Sequence, residues 1–338
     1  MPECSLKSVA RLFIRLSAIS PRLIRWAALA IVLGSPFASA QDFPNKRVTV
    51  VVPFAPGAST DLIARYLADG LGKKWGQPVV AQNMPGAASA IGSAYVARSR
   101  PDGHTMLFVS SSYSTNAATR QNLQFNPATD LIPVAIAATG QFVLTAGPSV
   151  KSTNIKDFIK EAKSREITYA TTGAGSSVHF IGELFGSATG IKMQAVHYKG
   201  AGEFLADLIS GRVDITFGSV TQAIPLVQSG QLKALAVTSN TRAHGLPDVP
   251  TLAESGITRA DVGQQWYGVF VPAGTPATIT AKINKDINEL MSSPATSEFL
   301  AKEGAYPDPL TVAQARELVL TEIARWKKLA AERGIVLE

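Results

Sequence analysis

The sequence predicts an α/β protein with doubly wound sheets, and three observations carry that reading. From Arg47 onward short β-branched runs alternate with helical patterns. Several of these runs are apolar almost throughout, as strands buried on both faces of a parallel sheet require. The C-terminal part is dominated by two long helical patterns, so the chain ends in helices. With 338 residues the length suits about two domains. A composition of 46% hydrophobic and 17% charged residues excludes a disordered chain or a coiled coil.

The strands are expected at Val48–Val52, Val79–Gln82, Met106–Ser110, Val134–Ala137 and Phe142–Ala146, then at Ile167–Ala170, Ala195–Tyr198, Val213–Phe217, Leu232–Val237 and Trp266–Val271. Between them, Asp61–Leu71 carries a helical stripe of Leu62, Ile63, Tyr66, Leu67 and Leu71 behind the caps Ser59 or Thr60. Further helices are expected at Ile155–Lys163, Val178–Gly186, Phe204–Ile209, Ile279–Met291 and Val312–Arg333. No internal repeat, low-complexity tract or Pro/Gly/Ser-rich linker separates the two expected domains.

The formal charge of +7 suggests an anionic partner until its distribution is considered. Lys7, Arg11, Arg15, Arg22 and Arg25 precede the apolar stretch Ala27–Leu33, then Gly34, Ser35, Pro36 and Ala38-Ser39-Ala40. This is the order of a secretory signal, too short for a membrane span, with cleavage expected after Ala40. Removing those 40 residues takes five basic residues and one acid, leaving 298 residues near +3. Cys4, the one cysteine, leaves too, so no disulfide framework or Cys-rich metal site is expected in the mature chain.

Ligands of open parallel sheets sit beyond the carboxyl ends of the strands, and the loops there share one composition. Pro53–Asp61, Ser110–Thr115, Thr171–His179 and Gly218–Thr221 are rich in Gly, Ser, Thr and Ala. Small residues admit a ligand to the backbone N–H groups, helix N-termini favour an anion, and the hydroxyls of Ser59, Thr60, Thr172, Ser176 and Ser177 add donors. Any one of these loops reads better as an ordinary turn or N-cap; four at one edge favour binding of a small carboxylate.

Enzymatic motifs are missing. The sequence has no G-x-S-x-G elbow and no phosphate-binding P-loop, and Gly173-Ala174-Gly175 lacks the third glycine of a dinucleotide fingerprint. The histidines at 104, 179, 197 and 244 do not have metal-ligand spacing. His179 reads as a helix-start hydrogen-bonding residue or a general base, and Asp61 as a first-turn acid favoured by its helix. Lys199 either faces an anion or is solvated, and Trp266 and Tyr267 either cover the cleft or pack under the sheet. The basic residues of Arg325–Lys328 read as a solvated helix face, with no accompanying cluster to make a nucleic-acid surface.

An ordered set of segments carries a family resemblance. It comprises Phe43-Pro44-Asn45-Lys46, Val50–Gly57 with Asp61, Asn83–Ala87, Pro101–Thr105, Gly173–Phe180, Tyr198-Lys199-Gly200, Asp207–Gly211, Leu246–Glu254, Trp266-Tyr267-Gly268 and Pro272–Pro276. The set resembles the Bug-type extracytoplasmic solute receptors of tripartite tricarboxylate transporters across residues 43–338. The resemblance implies a two-lobed, flytrap-like periplasmic binding protein of type II, with lobe 1 from 41–141 plus 267–338 and lobe 2 from 142–266. It implies a monomer that takes a small carboxylate through main-chain N–H groups and waters, delivers it to membrane permease subunits, and needs no cofactor, metal or nucleic acid. Carried onto this sequence, the contacts would be Phe54, Ala55, Gly57, Ala58 and Ser59 in lobe 1, with Thr172, Gly175, Ser176, Ser177, His179 and Ser219 in lobe 2. This chain departs from the family in having Ala58 where a second glycine is usual, and Ala87-Ala88-Ser89 where the family is glycine-richer. Two other roles remain open: a ligand-sensing receptor for a membrane kinase, and a secreted hydrolase using Ser111 or Ser176 with His179.

Overall fold

The computed structural model describes residues 43–333 apart from 58, 87–88, 199–200, 240 and 258–263. The expected leader with its Ala40 cleavage point, and Ala58 and Lys199, lie outside the described residues.

Two sheets organise the described chain. The first has the order β11-β4-β10-β3-β1-β2 and the second β7-β6-β8-β5-β9. In chain order the first lobe contributes β1 (Val48–Val52), β2 (Val79–Asn83), β3 (Thr105–Ser110) and β4 (Leu131–Gly140). The chain then crosses to β5 (Phe142–Ala146), β6 (Ile167–Thr171), β7 (Met193–His197), β8 (Ile215–Ser219) and β9 (Lys233–Val237) in the second lobe. It returns with β10 (Gln265–Pro272) and β11 (Ala305–Tyr306). Strands β1, β2 and β3 are parallel, whereas β10 is inserted antiparallel between β3 and β4.

The apolar strands have helices on both sides. In lobe 1, Val48, Val50, Val52, Met106 and Phe108 face one core with Ile63, Leu67, Ile283 and Ile287. Val51, Leu107 and Val109 alternate onto the opposite core with Val96, Tyr113, Trp266, Phe270 and Val319. The first core is covered by α1 (Ser59–Trp75) and α8 (Ala277–Met291), the second by α2 (Ala90–Ala97), α3 (Ser112–Thr119) and α10 (Val312–Arg333). Helix α9 (Pro294–Lys302) leads into β11. In lobe 2, α4 (Ile155–Ala162) and α5 (Ser177–Thr189) cover Ile167, Tyr169, Ile215 and Phe217. Helices α6 (Ala201–Ile209) and α7 (Val220–Gln228) lie on the other face, over Ala170 and Val143. Lobe 2 therefore repeats the two-sided burial that makes strand sequences run apolar without alternation.

Four helices, α2, α3, α7 and α9, form where the sequence reads as loop or connection. Helix α3, Ser-Tyr-Ser-Thr-Asn-Ala-Ala-Thr, has poor intrinsic helix formers. It is held by buried Tyr113 and Ala117, and the hydroxyls of Thr115 and Thr119 bond back to the carbonyls of Ser112 and Thr115. Helix α7 contains Pro225, which masks its helical pattern, and α2 is short with little amphipathic contrast. Strand β11 has two residues, below what a period-2 pattern can reveal. Trp266 and Tyr267 are both 1% exposed and pack within the fold, which decides between the two positions open for them. The Trp266 indole donates to buried Glu322 at 2.7 Å.

Candidate functional site

The strand directions place the carboxyl ends of β1, β2, β3 and β4 at one edge of lobe 1, and those of β6, β7, β8 and β9 at one edge of lobe 2. The β4–β5 crossover joins these same edges, and Val220 N–H donates to the Gln141 carbonyl within it at 3.4 Å. The edges meet directly where the hydroxyls of Ser111, capping α3, and Ser177, opening α5, are 3.3 Å apart.

In lobe 1 the loop after β1 carries half-buried Phe54 and exposed Ala55 and Gly57. Gly57 has φ +86°, a conformation that glycine adopts without the Cβ penalty. Its N–H donates to Asp61 Oδ2 at 3.0 Å. Asp61, 2% exposed, also accepts from Arg65 Nε at 2.9 Å and Asn83 Nδ2 at 2.8 Å. The same Asn83 amide donates to the Phe54 carbonyl at 3.1 Å, and Asn83 Oδ1 accepts from Arg65 at 2.7 Å. Burial pushes the Asp61 carboxyl up, but hydrogen bonds from Arg65, Gly57 and Asn83 outweigh it and hold the group below the usual carboxylate range. Asp61 is thus the clamp of this loop as well as a favourable charge at a helix start. Ser59 opens α1 and interacts with the buried Tyr267 phenol and with Glu303.

In lobe 2 the loop after β6 turns through Gly173 (φ +115°) and Gly175 (φ +76°), with the Ser176 N–H on the Gly173 carbonyl at 3.1 Å. Gly175, Ser176 and Ser177 are buried, while Thr172 and His179 are half-buried. Ser176 caps α5, its hydroxyl accepting from the His179 N–H at 3.3 Å. The His179 ring accepts the Gly175 N–H on Nδ1 at 3.1 Å, which places its proton on Nε2, 4.0 Å from Glu183. Glu183 itself accepts from buried Tyr169 at 2.8 Å. His197, at the end of β7, has its ring centroid 5.0 Å from that of His179 and pairs with Thr171 Oγ1 at 2.7 Å. Burial and the neighbouring His197 hold the His179 pKa down, against a smaller raising effect of Glu183. Ser219 ends β8 opposite Phe142 and caps α7 through the Gln222 N–H at 3.4 Å.

Among the described residues, those singled out in the sequence after β1, β6 and β8 lie on these edges. The Gly57 and Gly175 N–H groups are already engaged within their loops. The Ser176 hydroxyl meets the backbone of His179 and not its ring, so the Ser176–His179 pair of a hydrolase is not formed. Asn83, Arg65 and Glu303 were missed. Asp61 and Arg65 stand at the i, i+4 spacing of a helical ion pair, which could have shown the clamp; nothing local signals Glu303. The most elaborate charge cluster, Asp214 with Arg165, Ser149 and Thr168, sits at the opposite end of the lobe 2 sheet and is structural.

The model of the tripartite tricarboxylate transporter family receptor matches residues 63–335. Protein BugT of Bordetella pertussis is 36% identical over 304 residues, covering 89% of this chain and 93% of that protein. A solved Rhodopseudomonas palustris protein with adipate is 34% identical with TM-score 0.81, covering 87% of this chain and 99% of that one. MatC from the same organism, with bound malate, is 30% identical with TM-score 0.76 over 85% and 99%.

Proposed function

Because this chain belongs to the tripartite tricarboxylate transporter receptor family, we propose that it is a periplasmic receptor that closes on a small organic carboxylate and delivers it to membrane permease subunits. The observation that carries this reading is the contact of Ser111 with Ser177, which brings helix starts from both lobes to one edge. The positive ends of α1, α3, α5 and α7 favour an anion there without a dedicated arginine. Relatives solved with adipate and with malate support a small dicarboxylate or a close analogue as its ligand class.

In this reading the ligand contacts come from Phe54, Ala55, Ala58 and Ser59 of lobe 1, and from Thr172, Ser176, Ser177 and Ser219 of lobe 2. Gly57, Gly175 and the His179 Nδ1 shape the two loops, since the two glycine N–H groups and that nitrogen are engaged within them. In this reading the lobes follow the expected 41–141 with 267–338 and 142–266, except that β10 carries Gln265 and Trp266 into lobe 1, and they hinge where β4 passes to β5 and where the chain returns to β10. Ligand bridging both lobes would favour the closed state by its differential contacts. No chemistry is performed. The leader would be removed after Ala40, and the mature receptor would act as a monomer.

Thermal unfolding against a carboxylate panel that includes adipate and malate tests the reading. At 100 times Kd a true ligand adds about 2.7 kcal/mol of stability. Ser176→Trp should abolish that increment while far-UV circular dichroism stays native. Stabilisation by neutral sugars or cations, with none by carboxylates, would overturn the proposal.

A further inference from the structure

One half-buried titratable group at the ligand edge has no part in either loop clamp. Ala305 of β11 pairs with Gly140, the last residue of β4 before the crossover, so Glu303 and Gly304 arrive at the same edge as the loop after β1. The approach is close: the Gly304 carbonyl is 3.5 Å from where a Cβ on Gly140 would stand. Glu303 turns its carboxyl inward, with Oε2 buried and without a hydrogen-bond partner. The groups that bear on it are Ser59, at the start of α1, and the buried phenol of Tyr267 on β10. Strand β4 contributes Thr139 and Gly140, neither titratable. On the flanking chain Lys302 bonds Glu298, while Asp308 takes the Thr139 hydroxyl and lies near Tyr306.

We propose that Glu303 is a proton site built into the ligand edge of lobe 1, so that a carboxylate captured at the start of α1 enters together with one proton. The inference rests on the receptor reading above. Its physical basis is that two carboxylates brought close in a poorly solvated site do not both stay ionised. Asp61 is compensated by Arg65, whereas Glu303 meets only hydroxyls among the described residues. Desolvation already raises its pKa against the smaller opposing effect of Ser59. An incoming anion beside Ser59 raises it further, and linkage then requires proton uptake on binding. A neutral Glu303 also leaves the start of α1 free of the repulsion that would reject a dianion.

Isothermal titration of the mature protein with adipate and with malate, in buffers of low and high ionisation enthalpy between about pH 5 and pH 8, counts the protons exchanged. Wild type should take up as much as about one proton per ligand, with affinity falling by up to about tenfold per pH unit where Glu303 titrates. Glu303→Gln should bind with the affinity of the low-pH wild type, take up less than wild type by that proton, and lose that pH slope. The histidines of lobe 2 contribute equally to both proteins, so the difference isolates Glu303. Native melting of Glu303→Gln establishes that it folds. Equal proton counts and equal slopes in the two proteins would overturn the coupling alone. Failure of wild type to bind any carboxylate would overturn the receptor reading and the coupling with it.

Discussion

In lobe 1 the loop after β1 is held by a buried carboxylate, whereas in lobe 2 the loop after β6 is held by a neutral imidazole. Asp61 collects the Gly57 N–H, the Asn83 amide and the Arg65 guanidinium, and its hydrogen bonds keep it ionised. His179 collects the Gly175 N–H on a nitrogen that must stay unprotonated to accept it. The first clamp is thus indifferent to pH above the carboxylate range, and the second depends on it throughout the imidazole range. Each clamp acts by setting the shape of its loop.

Asp61→Ala should be the most destabilising test of this contrast. It leaves the Gly57 N–H and one of the two Asn83 amide N–H groups without an acceptor, and costs about 2–3 kcal/mol after allowance for the half-exposed Arg65. Urea unfolding measures it, and an unchanged midpoint would show that the carboxylate does not hold this loop. His179→Ala should cost less, about 1–2 kcal/mol, because one neutral acceptor is lost and the Gly175 N–H is left unpaired.

The same histidine gives the pH test. A pKa lowered in the folded state means that the fold favours the neutral ring. That stabilisation is complete above the ordinary value of 6.5 and is lost as the pH falls below it toward the folded value. Wild type should therefore lose stability on acidification through this window, and His179→Gln should keep only the part due to His197. Equal profiles for the two proteins would remove His179 as the pH-sensitive clamp. The smallest effect is expected at Ser89, buried and held at φ +91° where glycine is favoured. Ser89→Gly should stabilise by up to about 1 kcal/mol, net of the long 3.5 Å contact from Asn116, as read by melting temperature.

The contrast also explains what was legible in the sequence. Strands β1, β3 and β5 could be read because burial on both faces makes them continuously apolar. The loops of both edges could be read because close backbone approach demands small residues in any such fold. Helix α3 could not, since its poor helix formers are overruled by tertiary burial of Tyr113. Glu303 could not either: it reaches Ser59 across 244 positions only because β11 pairs with the end of β4. His179 was visible as a residue of interest, but its role depends on which ring nitrogen meets Gly175, a matter of rotamer and not of spacing.

The insertion of β10 between β3 and β4 has a consequence for the order in which the molecule can be assembled. All five strands of lobe 2 lie between residues 142 and 237, so that sheet is complete once this uninterrupted stretch is available. The lobe 1 sheet waits for residues 265–272, until which β3 and β4 have no strand between them. During synthesis from the N-terminus, the lobe begun first is therefore finished last. Until β10 arrives, the edges of β3 and β4 that it covers stay unpaired, the feature of a partly built sheet most prone to wrong pairing.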